Sequence, residues 1–207
     1  MSDATAVSAA EVKALRERTG AGVMDCKAAL AEAEGDVEKA IEVLRVRGQA
    51  SAAKRSGRAT SEGIVASYIH ATGKVGSLVE VQCETDFVAR SEEFREFARE
   101  VALHIAGAPS PPLYVSADEI PQDAREAERA VLAAKAREEG KPDDVVGRVV
   151  EGQLAKWSRE AALLEQEHVR SDSYEGKTIE ELRAELAAKT GENIRVARFA
   201  RFAVGQE

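Results

Sequence analysis

The chain has 207 residues, enough for one large or two small domains with a real core. Twenty-nine Lys and Arg stand against 37 Asp and Glu, a formal charge of -8, which argues against nonspecific binding to nucleic acid or an anionic membrane. Two cysteines, Cys26 and Cys83, make neither a disulfide framework nor a metal cluster and fit a reducing compartment. MSDATAVSAAEV lacks the basic-then-apolar pattern of a signal peptide, and no apolar run reaches the length of a membrane span. Composition therefore points to a soluble, cytoplasmic protein.

Residues 8–48 read as three short helices. Ser8 with Glu11 forms a capping box that opens a helix bearing Val12, Leu15 and Arg16. Gly20 and Gly22 end it. Met24 to Ala33 gives a second helix, stopped by Gly35. Asp36 caps a third, where Val37, Ile41 and Leu44 share one stripe and Gly48 is the expected end. The following RVRGQASAAKRSGR (45–58) holds Arg45, Arg47, Lys54, Arg55 and Arg58 without one acid. A solvated linker is its ordinary reading, and a surface for an acidic partner is the alternative.

GIVASYIH (63–70) and KVGSLVEVQC (74–83) read as strands of a hairpin turned by Ala71-Thr72-Gly73. In the second, Val75, Val79, Val81 and Cys83 share one face, and Leu78, Glu80, Gln82 and Glu84 share the other. Ser91 caps a helix in which Phe94, Phe97, Val101 and Ile105 recur at helical spacing. Ser116 with Glu119 is a further capping box, expected to open a helix that runs to about Gly140. Another begins near Pro142 and carries Val145, Val149, Leu154 and Trp157. Thr178 with Glu181 opens a last helix with Ile179, Leu182 and Leu186, closed by Gly191. The tail NIRVARFARFAV (193–204) is strand-like with a muddled alternation, which a bulge or burial on both faces would explain.

Signals for covalent chemistry are sparse. Gly20-Ala21-Gly22 lacks the third glycine of a dinucleotide loop and follows a helix, and Gly73-Lys74 lacks the rest of a P-loop. His70, His104 and His168 have no metal spacing. Cys83 and His70 could pair as nucleophile and base if the strands align, but a cysteine on the inward face of a strand is ordinarily a small hydrophobe. The oddest place is CETDFVARSEEF (83–94), where Asp86 and Phe87 stand side by side at an element boundary. The ordinary reading has Phe87 turned inward to staple the next helix while Asp86 caps it.

Several stretches together resemble the bacterial elongation factor Ts family: LRERTGAGVMDCKAALAEAEGDVEKAIEVLR (15–45), CETDFVAR (83–90), GKPDDVVGRVVEGQLAKW (140–157) and GENIRVARFARFAVG (191–205). The resemblance spans nearly the whole chain. It implies an α+β fold: a three-helix module of the ubiquitin-associated type (1–50), a basic linker (51–62) and a core built on an antiparallel sheet flanked by helices (63–207). It implies a translation elongation factor without covalent chemistry, cofactor or metal of its own. Its partner would be the GTPase elongation factor Tu, from which it would promote GDP release. Carried over, Thr85, Asp86, Phe87 and Val88 become the segment that displaces the partner's magnesium ion. Arg16, Val23 and Met24 become partner contacts, with Val23 standing where a second methionine is common. The chain resembles the short form of the family, which implies a homodimer through the C-terminal strand with Phe199 and Phe202. In LLEQEHV (163–169), Glu167 and His168 depart from an expected apolar turn with proline and put that loop's packing in doubt.

Overall fold

The computed structural model describes residues 7–206. It is an α+β protein with eight α-helices and one three-stranded antiparallel sheet among the described residues. The chain divides into two compact units, each assembled from separate stretches. One takes in Met1–Ile64, Val81–Phe97 and Glu181–Arg195, and the other Val65–Glu80, Ala98–Glu180 and Val196–Glu207.

The first unit begins with α1 (Ala9–Thr19), α2 (Val23–Glu32) and α3 (Val37–Arg55). The Ser8–Glu11 capping box is formed in both directions, and the Asp36 carboxylate accepts from the Lys39 N–H. Gly20 ends α1 in the left-handed conformation, where a side chain would be strained. Val12, Leu15, Cys26, Ala29, Leu30, Ala33 and Ala40 form a small core, against which Val37, Ile41 and Leu44 pack. So many alanines let the helices approach closely but leave little apolar volume, so the module gains support from elsewhere in its unit. That support is α8 (Ile179–Thr190). Gly48 does not end α3, which continues to Arg55. A Cβ at Gly48 would meet the Ala188 side chain at 3.6 Å, an ordinary van der Waals contact, so α3 passes beside α8 here rather than stopping. Arg45 Nη1 donates to Glu181 Oε1 (2.6 Å), and Arg55 Nη1 donates to the Ala187 carbonyl at 3.4 Å.

Strands β1 (Glu62–Ile69), β2 (Val75–Cys83) and β3 (Arg195–Ala203) lie in that order in the sheet. The alternation in β2 holds: Val79, Val81 and Cys83 are buried while Leu78 is exposed. Ser77 joins the inward face, its hydroxyl donating to the Ala102 carbonyl at 2.6 Å. Gly63 is required by a close approach, since a Cβ there would lie 2.2 Å from the Val81 carbonyl oxygen. The expectation that β3 is buried on both faces is corrected: Phe202 is 70 % exposed and Phe199 half-buried.

Helix α5 (Glu92–Gly107) buries the full stripe Phe94, Phe97, Val101 and Ile105. In the second unit, α6 (Gln122–Glu138) and α7 (Asp143–Ala161) pack as a hairpin. The Ser116 capping box does not form. Residues Ala117–Glu119 make only a 3-10 turn, Glu119 accepts from the Val115 N–H, and α6 starts after Pro121. Proline stops a helix from running through this point. The buried stripe of α7 is Val146, Val150 and Leu154, one residue away from the expected Val145 and Val149. Adjacent valine pairs left the phase of that stripe ambiguous. His168 fits its loop: it is fully buried, its ring centroid 4.3 Å from that of Tyr174 and 5.6 Å from that of His104.

Candidate functional site

The strand β2 ends at Cys83, and the next residues make a short turn of helix, α4 (Asp86–Ala89), before α5. Thr85, not Asp86, is its cap: the Val88 N–H donates to Thr85 Oγ1 at 3.4 Å. Asp86 instead pairs with Arg90 at 3.0 Å on the surface. Val88 and Ala89 point inward and are buried. Phe87 is 82 % exposed. Val88 and Ala89 together define the buried side of this turn, and Phe87 stands about 100° from the first and about 200° from the second around the axis. Val88 takes the core side, so the phenyl ring projects into solvent and does not staple α5.

The turn is held from the distal end of the chain. Glu192 follows Gly191, whose left-handed conformation closes α8. Its carboxylate accepts from the Glu84 N–H (3.0 Å), the Thr85 N–H (3.1 Å) and the Thr85 hydroxyl (2.6 Å). Next to it, the Asn193 N–H donates to Glu84 Oε1 (2.6 Å), and the Asn193 amide donates to the Ser56 and Arg58 carbonyls (3.2 and 2.9 Å). That N–H, helped by the Arg58 guanidinium at 3.3 Å, holds the Glu84 carboxyl below the usual carboxylate range. These bonds occupy the backbone and leave Phe87 free.

Arg16, Val23 and Met24 lie in the same compact unit as this turn. Met24 is 75 % and Val23 54 % exposed at the start of α2. Arg16 and Val23 line a groove of about 340 Å³ with Val12, Lys13 and Lys27, an apolar floor under a basic rim. The Arg16 side chain pairs with no carboxylate among the described residues. Lys189 of α8 lays its aliphatic stem over Gly20, 3.4 Å from where a Cβ would stand, and its ammonium donates to Glu93 at 2.9 Å. Helix α8 thus touches both the end of α1 and the segment that follows the turn.

The basic stretch is largely consumed by the chain itself. Arg45 pairs with Glu42 and Glu181, Arg47 with Glu32, and Arg58 with Glu84, while Arg55 reaches a carbonyl. Cys83 is buried, its thiol pushed up to about 11 chiefly by burial, and it donates to the Thr85 carbonyl. A thiol so disfavoured as thiolate is no nucleophile at neutral pH. His70 sits at the other end of the hairpin, its N–H side engaged with Val75 and its ring with Thr72. Among the described residues, no group of three or more His, Cys, Asp or Glu comes together to hold a metal ion.

Glu192, Asn193 and Lys189 were not legible as site residues, because they meet the turn and α5 across about a hundred residues of sequence. The only local signal is a carboxylate placed directly after a C-cap glycine.

Comparison with known proteins decides the family. A family model described as elongation factor Ts matches residues 3–175. The chain belongs to the elongation factor Ts family. Among curated relatives of that name, the one from Caldanaerobacter subterraneus is 54 % identical over 200 residues, covering 97 % of this chain and 98 % of that protein. The relative from Thermoanaerobacter pseudethanolicus is 52 % identical, with 97 % and 96 % covered. That from Solidesulfovibrio magneticus is 50 % identical over 203 residues, with 98 % and 99 % covered. Membership makes this chain a translation elongation factor. No helix among the described residues is long and apolar enough to cross a membrane.

Proposed function

We propose that this protein is a guanine-nucleotide exchange factor for elongation factor Tu in the cytoplasm, acting without covalent chemistry. The observation that carries the proposal is Phe87, a large apolar side chain almost fully exposed on a turn whose backbone is otherwise tied down. In a chain of this family, a bare ring at that position is a wedge for a partner's cleft.

The energetics fit such a role. A nucleotide bound with nanomolar affinity is worth about -12 kcal/mol. To weaken it by about 1,000- to 10,000-fold, the factor must bind the nucleotide-free partner better by about 4–5.5 kcal/mol, and the antagonism is reciprocal. Burying the Phe87 ring contributes about 2–3 kcal/mol. The remainder falls to the 1–50 module, where Met24, Val23 and Arg16 present an apolar ridge beside a cation, and to Asp86 and Thr85 near the partner's magnesium site. Val88 serves by anchoring the turn. The core at 63–207 carries the wedge, and 51–62, whose first residues continue α3 to Arg55, joins it to the module.

We also propose a homodimer through the sheet of the core. Phe202, Val204, Leu78, Val65 and Ile69 are all exposed, and a depression of about 1240 Å³ runs along Leu78, Leu113, Phe199 and Phe202. A second copy packing its own β3 and sheet face here is the partner that covers such a surface without a new one. Sedimentation of the full chain and of Phe202→Asp tests this, and a wild type that stays monomeric at micromolar concentration overturns it.

The decisive experiment follows release of fluorescent GDP from elongation factor Tu chased with unlabelled nucleotide. Wild type should accelerate release strongly, and Phe87→Ala should lose about 30- to 100-fold of the effect, matching the loss of a buried ring. Equal acceleration by both proteins moves the energetic centre to Arg16 and Met24. No acceleration by folded wild type removes the exchange reading.

A further inference from the structure

We propose that Glu192 is the positioning residue of the exposed turn, setting the direction in which Phe87 projects. The proposal rests on the exchange reading above.

Helix α4 has four residues and cannot hold itself. Its own cap bond, Val88 N–H to Thr85 Oγ1, is long at 3.4 Å. Glu192 supplies what the turn lacks. Three donors, the N–H groups of Glu84 and Thr85 and the Thr85 hydroxyl, converge on its carboxylate within 2.6–3.1 Å. Bonds to an ionised acceptor are the stronger kind. The hydroxyl bond also has a second effect. By drawing the Thr85 proton toward Glu192, it leaves a lone pair of the same oxygen facing the Val88 N–H. The carboxylate thus fixes the Thr85 rotamer, the rotamer fixes the cap, and the cap fixes the phase at which Phe87 leaves the turn.

Glu192 is itself well referenced. Gly191 turns the chain in the left-handed conformation, and Thr190 Oγ1 accepts from the Glu192 N–H (3.4 Å) while donating to the Leu186 carbonyl (2.8 Å). Through α8, which lies along α3, the direction of Phe87 is tied to the helices that carry Arg16, Val23 and Met24. One rigid body would then present both contacts at a fixed mutual spacing, which is what a wedge driven by remote binding needs.

The test compares Glu192→Ala and Glu192→Gln, each with Phe87 intact and in a Phe87→Ala background. Glutamine keeps one oxygen for the two N–H donors and can donate to Thr85 Oγ1, so it preserves the contact in reversed polarity. In the GDP-release assay, Glu192→Ala should lower the maximal rate by about tenfold, the weight of a charge-assisted hydrogen bond. The half-saturating concentration should stay put, since the α1–α2 surface is untouched. Glu192→Gln should recover most of the rate, and Glu192→Ala should cost clearly less in the Phe87→Ala background than with Phe87 intact. A wild-type maximal rate in Glu192→Ala, or losses that multiply in the double variant, overturns the proposal. Independently of activity, amide hydrogen exchange at Glu84, Thr85 and Val88 should quicken in Glu192→Ala. Unchanged protection there also overturns it. Amides that loosen in Glu192→Ala, beside a wild type that never accelerates GDP release, would sink the exchange reading and leave the clamp as a purely structural device.

Discussion

Phe87 and Phe94 lie seven residues apart, and the molecule uses them in opposite ways. Phe94 is completely buried on the first turn of α5, while Phe87 is 82 % exposed on the turn before it. The difference is not in the residue but in the neighbours. Phe94 begins a stripe continued by Phe97, Val101 and Ile105, so its side of the helix is apolar throughout. Phe87 sits on a single helical turn whose inward position is already occupied by Val88. A ring excluded from the core and held there by a rigid backbone is available for another molecule, and its exposure serves no purpose in folding.

The largest effect that tests this contrast is on the buried ring. Phe94→Ala should destabilise the protein by about 3–5 kcal/mol through lost transfer energy and a residual cavity. Urea unfolding measures it, and a loss under 1 kcal/mol would mean that α5 is not where the apolar energy resides.

Acidification comes next and strikes the second unit while leaving the Phe87 turn alone. His104 is buried, and burial first, then the neighbouring His168, lowers it to about 4. The geometry agrees: the Val169 N–H donates to His104 Nδ1, so that nitrogen must accept, and Nε2 donates to Gln166 Oε1. A second ring proton would face an N–H. Because the folded value lies below the ordinary 6.5, the unfolded chain takes up the proton first as pH falls. The stabilisation is whole above about pH 6.5 and declines toward pH 4, with about 2 kcal/mol lost between pH 8 and 5 from His104 alone. Urea midpoints across that range should show the slope, and His104→Gln should flatten it. Glu84 has the depressed value of a carboxylate, so its contribution persists through this window and fades only in more acid solution. Amide exchange at the turn should therefore stay slow at pH 5 while the second unit weakens.

The basic stretch is the second place where appearance and use part company. Arg45 donates to Glu42 and to Glu181, so Arg45→Ala should cost about 1 kcal/mol of stability, limited because the guanidinium is partly exposed. GDP release should be unaffected once the variant is folded. Unchanged stability with lost exchange would return residues 45–58 to a partner-binding role.

Much of the fold was legible because it rests on short-range rules. The Ser8–Glu11 box, the Asp36 cap, the β2 alternation and the α5 stripe all involve residues within a turn or two of each other. Errors arose where a local rule met a longer-range one. Gly48 reads as a stop, but α3 runs on past it beside Ala188 of α8, a contact from a distant segment. Ser116 reads as a cap, but Pro121 interrupts the helix it would open. The basic residues of 45–58 read as free because their partners Glu32, Glu84 and Glu181 come from other segments. For the turn, the oddity of Asp86-Phe87 was visible in the sequence. Its orientation was not, because the residue that sets it stands 107 positions away.

The smallest stability effect is the most informative. Phe87→Ala removes a ring that is already in water, so the folded and unfolded states lose the same hydration and the change in stability should stay within about 0.5 kcal/mol. The thermal midpoint should match wild type even though exchange falls. If Phe87→Ala instead destabilised the protein by a kilocalorie or more, the ring would be contributing to its own fold, and the turn would read as a loosely packed part of the core. A silent effect on stability beside a large one on GDP release separates the two phenylalanines completely: the core needs Phe94, and only a partner can need Phe87.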